Sequence, residues 1–310
     1  MWRSEGTVDF APTPVERYLD TIPDATPKID PFLPHTLLQR PVREFSEDYL
    51  HRTREGMWDD SRAALEPLAL ESRERILDVG CGTGELSRVL AAESPGEVVG
   101  CDADPDLLRA AAAHAPAVPT VAGDAHRLPF PDDAFDLVVC QALLINLPDP
   151  AAALSEFARV SRDLVAAVEP DNGAVEVDSS VGAEDALEQR ARDAYLDGIP
   201  TDVSLGADAR EAFDAADADF EVLETRRYDH VRTVEPPYSE GAVAAARRKA
   251  TGAGLADDRE TMLKGALTAA EYDDLRSEWR AMGRDVIEQM EARAYRRREA
   301  VPFFVTVGRV

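Results

Sequence analysis

Apolar and polar positions along this chain switch between two periods. Short apolar runs at Arg75–Val79, Glu97–Cys101, Pro119–Ala122, Phe135–Cys140 and Leu164–Glu169 read as strands. Most are apolar on both faces, as strands buried in a parallel sheet must be. Helical spacing fills the gaps. Glu85 to Ala92 places Leu86, Val89 and Leu90 on one face, a second helix starts at Pro105, and a third at Asp149-Pro150 with proline in its first turn. This alternation predicts an α/β fold, a doubly wound Rossmann-like sheet with ligands at the carboxyl ends of its strands.

Outside this block the pattern changes. Residues 1–40 are rich in proline and predict an N-terminal arm over 1–45. Ser46 to Glu66 has helical spacing, with Pro67 marking its end. Beyond Glu169-Pro170, helices are predicted over Ala183–Leu196 and Ala207–Ala216, then a long strand Phe220–Val231 and a last strand Pro302–Val307. Between those two strands lies a helical stretch whose best part is the stripe Tyr272, Leu275, Trp279, Met282, Val286 and Met290. We therefore expect one catalytic domain, 46–231 plus 301–310, with a helical insert at 232–300. That stripe needs an apolar partner, either 183–217 or the arm, and the insert is expected to act as a lid over the strand carboxyl ends.

Candidate chemistry sits at the strand ends. Gly80, Gly82 and Gly84 follow the first strand at every second position, and a helix begins straight after. Backbone without Cβ atoms lets a ligand lie close, and a helix start offers free N–H groups. A dinucleotide site would put a third glycine where Glu85 stands, and a glutamate there would repel a pyrophosphate. Asp102 ends the second strand, where a carboxylate can accept hydrogen bonds from uncharged ribose hydroxyls. Asp104 competes for that role but stands just before Pro105, a position suited to a helix cap.

Composition narrows the partners. The formal charge is −26 over 310 residues, and the lysines are Lys28, Lys249 and Lys264. An acidic, arginine-over-lysine, alanine-rich chain looks like the solvated surface of a halophilic protein. The charge also argues against nucleic acid as a partner, although high salt would screen the repulsion. Cys81, Cys101 and Cys140 lack metal-ligand spacing and read as small packing residues in a reducing cytoplasm; no metal is expected. No apolar run is long enough for a membrane span or signal peptide.

Asp78 with Gly80-x-Gly82-x-Gly84 resembles motif I of class I S-adenosylmethionine (SAM) methyltransferases. Gly123-Asp124-Ala125-His126-Arg127-Leu128-Pro129-Phe130 resembles the Gly-Asp-Ala-x-x-Leu-Pro-Phe motif of their small-molecule members, and Asp136 before Leu137–Cys140 is similar to motif IV. The likeness covers about residues 70–170 and is closest to the ubiquinone-biosynthesis-type (type 11) methyltransferases. It implies a seven-stranded sheet of order 3-2-1-4-5-7-6 with strand 7 antiparallel. It implies SAM as cofactor, held by Asp78, Gly80, Gly82, Gly84, Asp102 and Ala103. Asp124 would accept from the adenine amino group, Ala125 would offer its backbone N–H to the ring, and Gln141 would lie near the methionine part. Arg54 and Trp58 are candidates for the SAM carboxylate and sulfonium, against a plain packing role.

Many relatives carry a histidine pair after strand 4; here Leu143 to Asp149 has none, and Asn146 cannot act as a base. Candidate bases are His126, Glu169 and Tyr195, with Tyr49, Tyr228 and Tyr238 behind them; none is compelled by its position. Signatures of nucleic-acid amino-group, cytosine-C5, ribose-2′-O and protein-arginine methylation are missing. The resulting expectation is a cytoplasmic enzyme, monomer or homodimer, moving a methyl group from SAM to a small-molecule acceptor. A tRNA- or protein-modifying enzyme and a non-catalytic SAM-binding module are the alternatives.

Overall fold

The computed structural model describes Leu50, Met57, Trp58 and residues 62–310. Arg54, Tyr49, the predicted arm and most of the predicted Ser46–Glu66 helix lie outside the described residues. Of that predicted helix, Leu50 is helical, Met57 and Trp58 lie in a turn, and Arg62–Leu68 is a 3₁₀ turn with Pro67 inside it.

Eight strands form one sheet. They are β1 (Arg75–Val79), β2 (Glu97–Asp102), β3 (Thr120–Ala122), β4 (Phe135–Gln141), β5 (Ser161–Pro170), β6 (Glu176–Ser179), β7 (Glu221–Val234) and β8 (Arg297–Arg309). β3-β2-β1-β4-β5 run parallel and β8 pairs antiparallel to β5. β7 pairs with β8 along its whole length. The predicted order thus stands, with two changes. Short β6 extends β5 along the same strand, pairing with β8 through Glu176↔Ala300 to Ser179↔Arg297. The last two strands are also longer than predicted.

Helices α1 (Glu85–Glu93), α2 (Pro105–His114) and α3 (Pro150–Val160) fill the crossovers. Their starts are written locally. The Asp104 carboxylate accepts from the N–H groups of Asp106 and Leu107, and Asp149 accepts from that of Ala152, each followed by proline in the first turn. Two apolar layers sandwich the sheet, one around Leu77, Val138 and Phe157, the other around Ile76, Leu90 and Val139.

α4 (Glu184–Asp197), α5 (Ala209–Ala215), α6 (Glu240–Thr251), α7 (Ala253–Asp257), α8 (Arg259–Met262) and α9 (Ala269–Glu291) follow. α9 opens on a capping box between Thr268 and Glu271. Its predicted stripe is buried at Tyr272, Leu275, Met282, Val286 and Met290, and half-buried at Trp279. It packs against Leu187 and Ala191 of α4 and Ala246 of α6, in a third core separate from the two sheet layers.

This helical layer stands on an extension of the sheet. β5 ends at Pro170, opposite Phe303 of β8. β7 and β8 continue as a hairpin to Val234↔Arg297, about 20 Å further at strand rise. The extension leaves from the carboxyl end of β5, the same edge of the sheet as the glycine turn.

Candidate active site

The glycine turn follows from its own backbone. Gly80, Gly82 and Gly84 have φ of 69°, 54° and 82°, in the left-handed region that residues with a Cβ rarely adopt. Gly80 and Cys81 donate their N–H groups to the Cys101 carbonyl at 2.7 and 3.1 Å, tying the turn to the end of β2. A Cβ at Gly84 would meet Ala111 of α2 at 3.3 Å, and one at Gly82 would meet Leu50 at 3.1 Å, so the Leu50 side chain lies against the turn.

Asp102 anchors this arrangement. One carboxylate oxygen accepts from Gly82 N–H at 2.8 Å and the other from Asp104 N–H at 2.9 Å. Burial raises its pKa, partly offset by those N–H groups, while the Asp104 charge pushes the same way as burial. Each carboxylate oxygen has room for a further donor. Asp78 is buried below the turn and accepts from Ser87 Oγ at 2.5 Å, so it braces β1 to α1. Glu85, also buried, pairs with Arg88 and His114, each at 2.8 Å. Burial alone would raise its pKa, but these two partners outweigh it and hold the carboxyl below its usual range. A negative charge thus sits at the helix start, where a pyrophosphate would need none.

Asp124 lies one strand further out, past the end of β3, which pairs with β2 up to Asp102↔Ala122. Its Oδ1 accepts from the backbone N–H of His126 at 2.9 Å and faces His126 Nδ1 at 3.2 Å. The other ring nitrogen faces the Asp149 carbonyl at 3.2 Å. His126 therefore lies between two acceptors, beside the place expected for the adenine.

Gln141 closes β4. Its amide donates to Met57 Sδ at 2.8 Å and accepts from the Trp58 indole at 3.3 Å. Trp58 has no exposed surface and is tilted against Tyr228, which stacks on Phe303. This places Trp58 in a packing role that fixes Gln141. Glu169, also without exposed surface, accepts from the N–H groups of Leu143, Leu144 and Ile145 at 3.1, 3.0 and 3.3 Å. It holds the 3₁₀ turn after β4 in place, which accounts for its carboxylate without a catalytic use. Tyr195 lies in the helical layer, with the third core. Asn146 donates to the Ala142 carbonyl at 2.8 Å.

Sequence reasoning missed the anchoring roles of Glu169, Met57 and Ser87. All three depend on contacts between distant segments, and only the acidic character of Glu169 hinted at its role. The three cysteines are buried, and burial pushes each thiol well above its ordinary range, which keeps them unreactive at neutral pH.

Residues 77–164 match a family described as "Methyltransferase domain". This segment is similar to methyltransferase domains. The cofactor that goes with it is S-adenosylmethionine, and the left-handed glycines, Asp102 and Asp124 all fall in or beside the matched segment. Demethylmenaquinone methyltransferase of Beutenbergia cavernae is 37% identical over 119 residues, covering 38% of this chain and 48% of that protein. Demethylmenaquinone methyltransferase of Mycolicibacterium vanbaalenii is 44% identical over 101 residues, 33% of this chain and 43% of that protein. The chain therefore spans under half the length of these relatives. A solved structure of a candidate type II methyltransferase from Anaeromyxobacter dehalogenans shares the fold, with a TM-score of 0.54 and 22% identity over 80% of this chain and 95% of that one. Among the described residues, no helix is long and apolar enough to cross a membrane.

Proposed function

We propose that this protein transfers a methyl group from SAM to a small-molecule acceptor, at oxygen, nitrogen or carbon. The observation that carries this reading is Asp102, whose two carboxylate oxygens are fixed by Gly82 and Asp104 beside three left-handed glycines. The residues present fit the cofactor. Asp102, with Ala103 beside it, would take the ribose hydroxyls, Asp124 and Ala125 the adenine, and Gly80, Gly82 and Gly84 the bare backbone side. Gln141 would stand by the methionine part. SAM supplies an already activated methyl group, so the chain's task is to position the acceptor and keep water out.

The named activity of the demethylmenaquinone relatives supports a small acceptor and a place near the ubiquinone-biosynthesis-type enzymes. So does the pairing within the two basic runs that a nucleic-acid-modifying enzyme would use, Arg247-Arg248-Lys249 and Arg296-Arg297-Arg298. Lys249 and Arg297 are consumed by Glu184, Glu188 and Glu299, and Arg248 pairs with Asp257 at 2.6 Å. On this reading residues 46–231 and 301–310 make the catalytic core, and 232–300 a cap over the carboxyl edge of its sheet. The acidic surface suits a salt-rich cytoplasm.

The deciding experiment is incubation with methyl-labelled SAM and a small-molecule extract of the source cells, alongside their RNA and protein fractions. We expect label in the low-molecular-weight fraction. Label in RNA or protein alone would overturn the small-acceptor reading. SAM binding with no transfer to any fraction would favour a binding module.

A further inference from the structure

A cavity of about 890 Å³ opens between α4, α6, α9 and the free end of the β7–β8 hairpin. That is within the range of sites for small organic ligands, about 300–1,000 Å³. None of Gly80, Gly82, Asp102, Asp124 and Gln141 lines it. Its walls are apolar and aromatic, with Tyr195, Ala246, Leu255, Met262, Trp279 and Val286 among them.

Most of the charged groups at the cavity are already paired. Lys249 bridges Glu184 and Glu188, Arg297 bridges Glu188 and Glu299, and Arg232 pairs with Glu299. These three cations meet three carboxylates, and Glu184 also accepts from the Tyr295 hydroxyl at 2.9 and 3.0 Å. An anionic ligand would find each of these three cations already neutralised and a carboxylate beside it. Arg192, a further cation on the lining, donates to the Val175 carbonyl, and Asp258 adds another negative charge.

Two buried donors on the lining lack a hydrogen-bond partner among the described residues: Arg297 Nε, which faces the Glu184 carboxylate at 3.7 Å inside the charge network, and one outside it. The Trp279 indole nitrogen is buried and has no hydrogen-bond partner among the described residues. Its ring lines the cavity, with the Lys249 ammonium 5.9 Å from the ring centre. A buried N–H without an acceptor is unfavourable, and an acceptor on a ligand would relieve that.

We propose that this cavity binds a neutral, ring-bearing, largely apolar molecule through a hydrogen-bond-accepting oxygen held by the Trp279 indole N–H. The inference goes beyond the transferase reading and does not depend on it.

Equilibrium dialysis of the full chain against three matched probes tests it. 2-Acetonaphthone has the ring and the acceptor oxygen, 2-isopropylnaphthalene has the shape without the oxygen, and 2-naphthoate has a negative charge. We expect one 2-acetonaphthone per chain, bound about fivefold tighter than 2-isopropylnaphthalene, the worth of one net hydrogen bond. Naphthoate should bind about tenfold or more weaker than the ketone, because its charge is desolvated beside carboxylates. Trp279→Phe, which keeps a ring and removes the N–H, should abolish the preference for the ketone and leave 2-isopropylnaphthalene affinity as it was. Ala242→Trp, filling the α6 wall, should weaken both neutral probes. Naphthoate binding as well as the ketone, a ketone preference that survives Trp279→Phe, or displacement of the probe by S-adenosylhomocysteine would each overturn the proposal. The last outcome would place the probe in the cofactor cleft and leave the transferase reading intact.

Discussion

Asp102 serves the fold before it serves any ligand, because it stitches the glycine turn to the start of α2. Asp102→Ala should therefore weaken S-adenosylhomocysteine binding by about 1–3 kcal/mol, the cost of orphaned polar partners, as read by calorimetry. A pH dependence follows. Burial raises the pKa of this carboxyl, and ribose hydroxyls bind its ionised form. Affinity should hold at neutral pH and fall as the pH drops through the raised pKa, since the proton must then leave before the ligand binds. Asp102→Asn should bind weakly at every pH and lose that dependence; an unchanged acid-side fall in this variant would exclude Asp102 as its source. At this scale the residue types at strand ends were legible, because glycine and aspartate at a turn have few other uses. The partners of His126 and Glu169 were not. A histidine held between Asp124 and Asp149, and a glutamate capping a turn after β4, depend on which strands become neighbours.

The helical layer is fastened to the hairpin by charge as well as by apolar packing. Lys249 of α6 reaches Glu184 and Glu188 of α4, and Arg297 of β8 reaches Glu188. Removing one partner leaves buried charge uncompensated, so Lys249→Met should destabilise the protein by about 3–5 kcal/mol in urea unfolding. Replacing the lysine together with Glu184 and Glu188 by apolar residues should cost much less. Glu299 gives the acid limit of the same network. Burial would raise its pKa, but Arg232 and Arg297 outweigh burial and hold it at about 2, against an ordinary 4.5. A depressed carboxylate stabilises the fold fully above its ordinary pKa, and that contribution is lost as pH falls from about 4.5 towards 2. Glu299→Gln should flatten this part of an acid-unfolding curve. Among the elements, the buried parallel strands were readable from their apolar runs. β6 was not: Glu176–Ser179 has one apolar residue, Val177, among charged and polar ones, and it is a strand only because β8 runs past it. The start of β8 was hidden by Pro302, which reads as a strand's first residue. Here it sits where β5 has ended and β6 has not begun, and its carbonyl accepts from Asp171 N–H at 2.9 Å.

For the whole molecule the governing quantity is the charge of −26. Like charges on a compact body repel, and salt shortens the reach of that repulsion. The melting temperature should rise from dilute buffer to molar salt; a flat profile would refute the high-salt reading of the surface. The sequence made the sign and size of this charge plain. The helical stripe of α9 was legible too, with the 183–217 segment that holds α4 as one of two partners left open. What it could not give was the cavity beneath, since Trp279, Lys249 and Arg297 meet only when α9, α6 and β8 are assembled.

The interior position of β8 has a consequence for synthesis. β5 leaves the ribosome about 130 residues ahead of its antiparallel partner, a delay of roughly 6–25 s at usual elongation rates. During that interval one edge of β5 is open, and β7 has nothing to pair with, because both wait for β8. β7 carries its own protection: Glu221, Glu224, Arg226, Arg227, Asp229 and Arg232 put charge along a strand that would otherwise recruit another nascent chain.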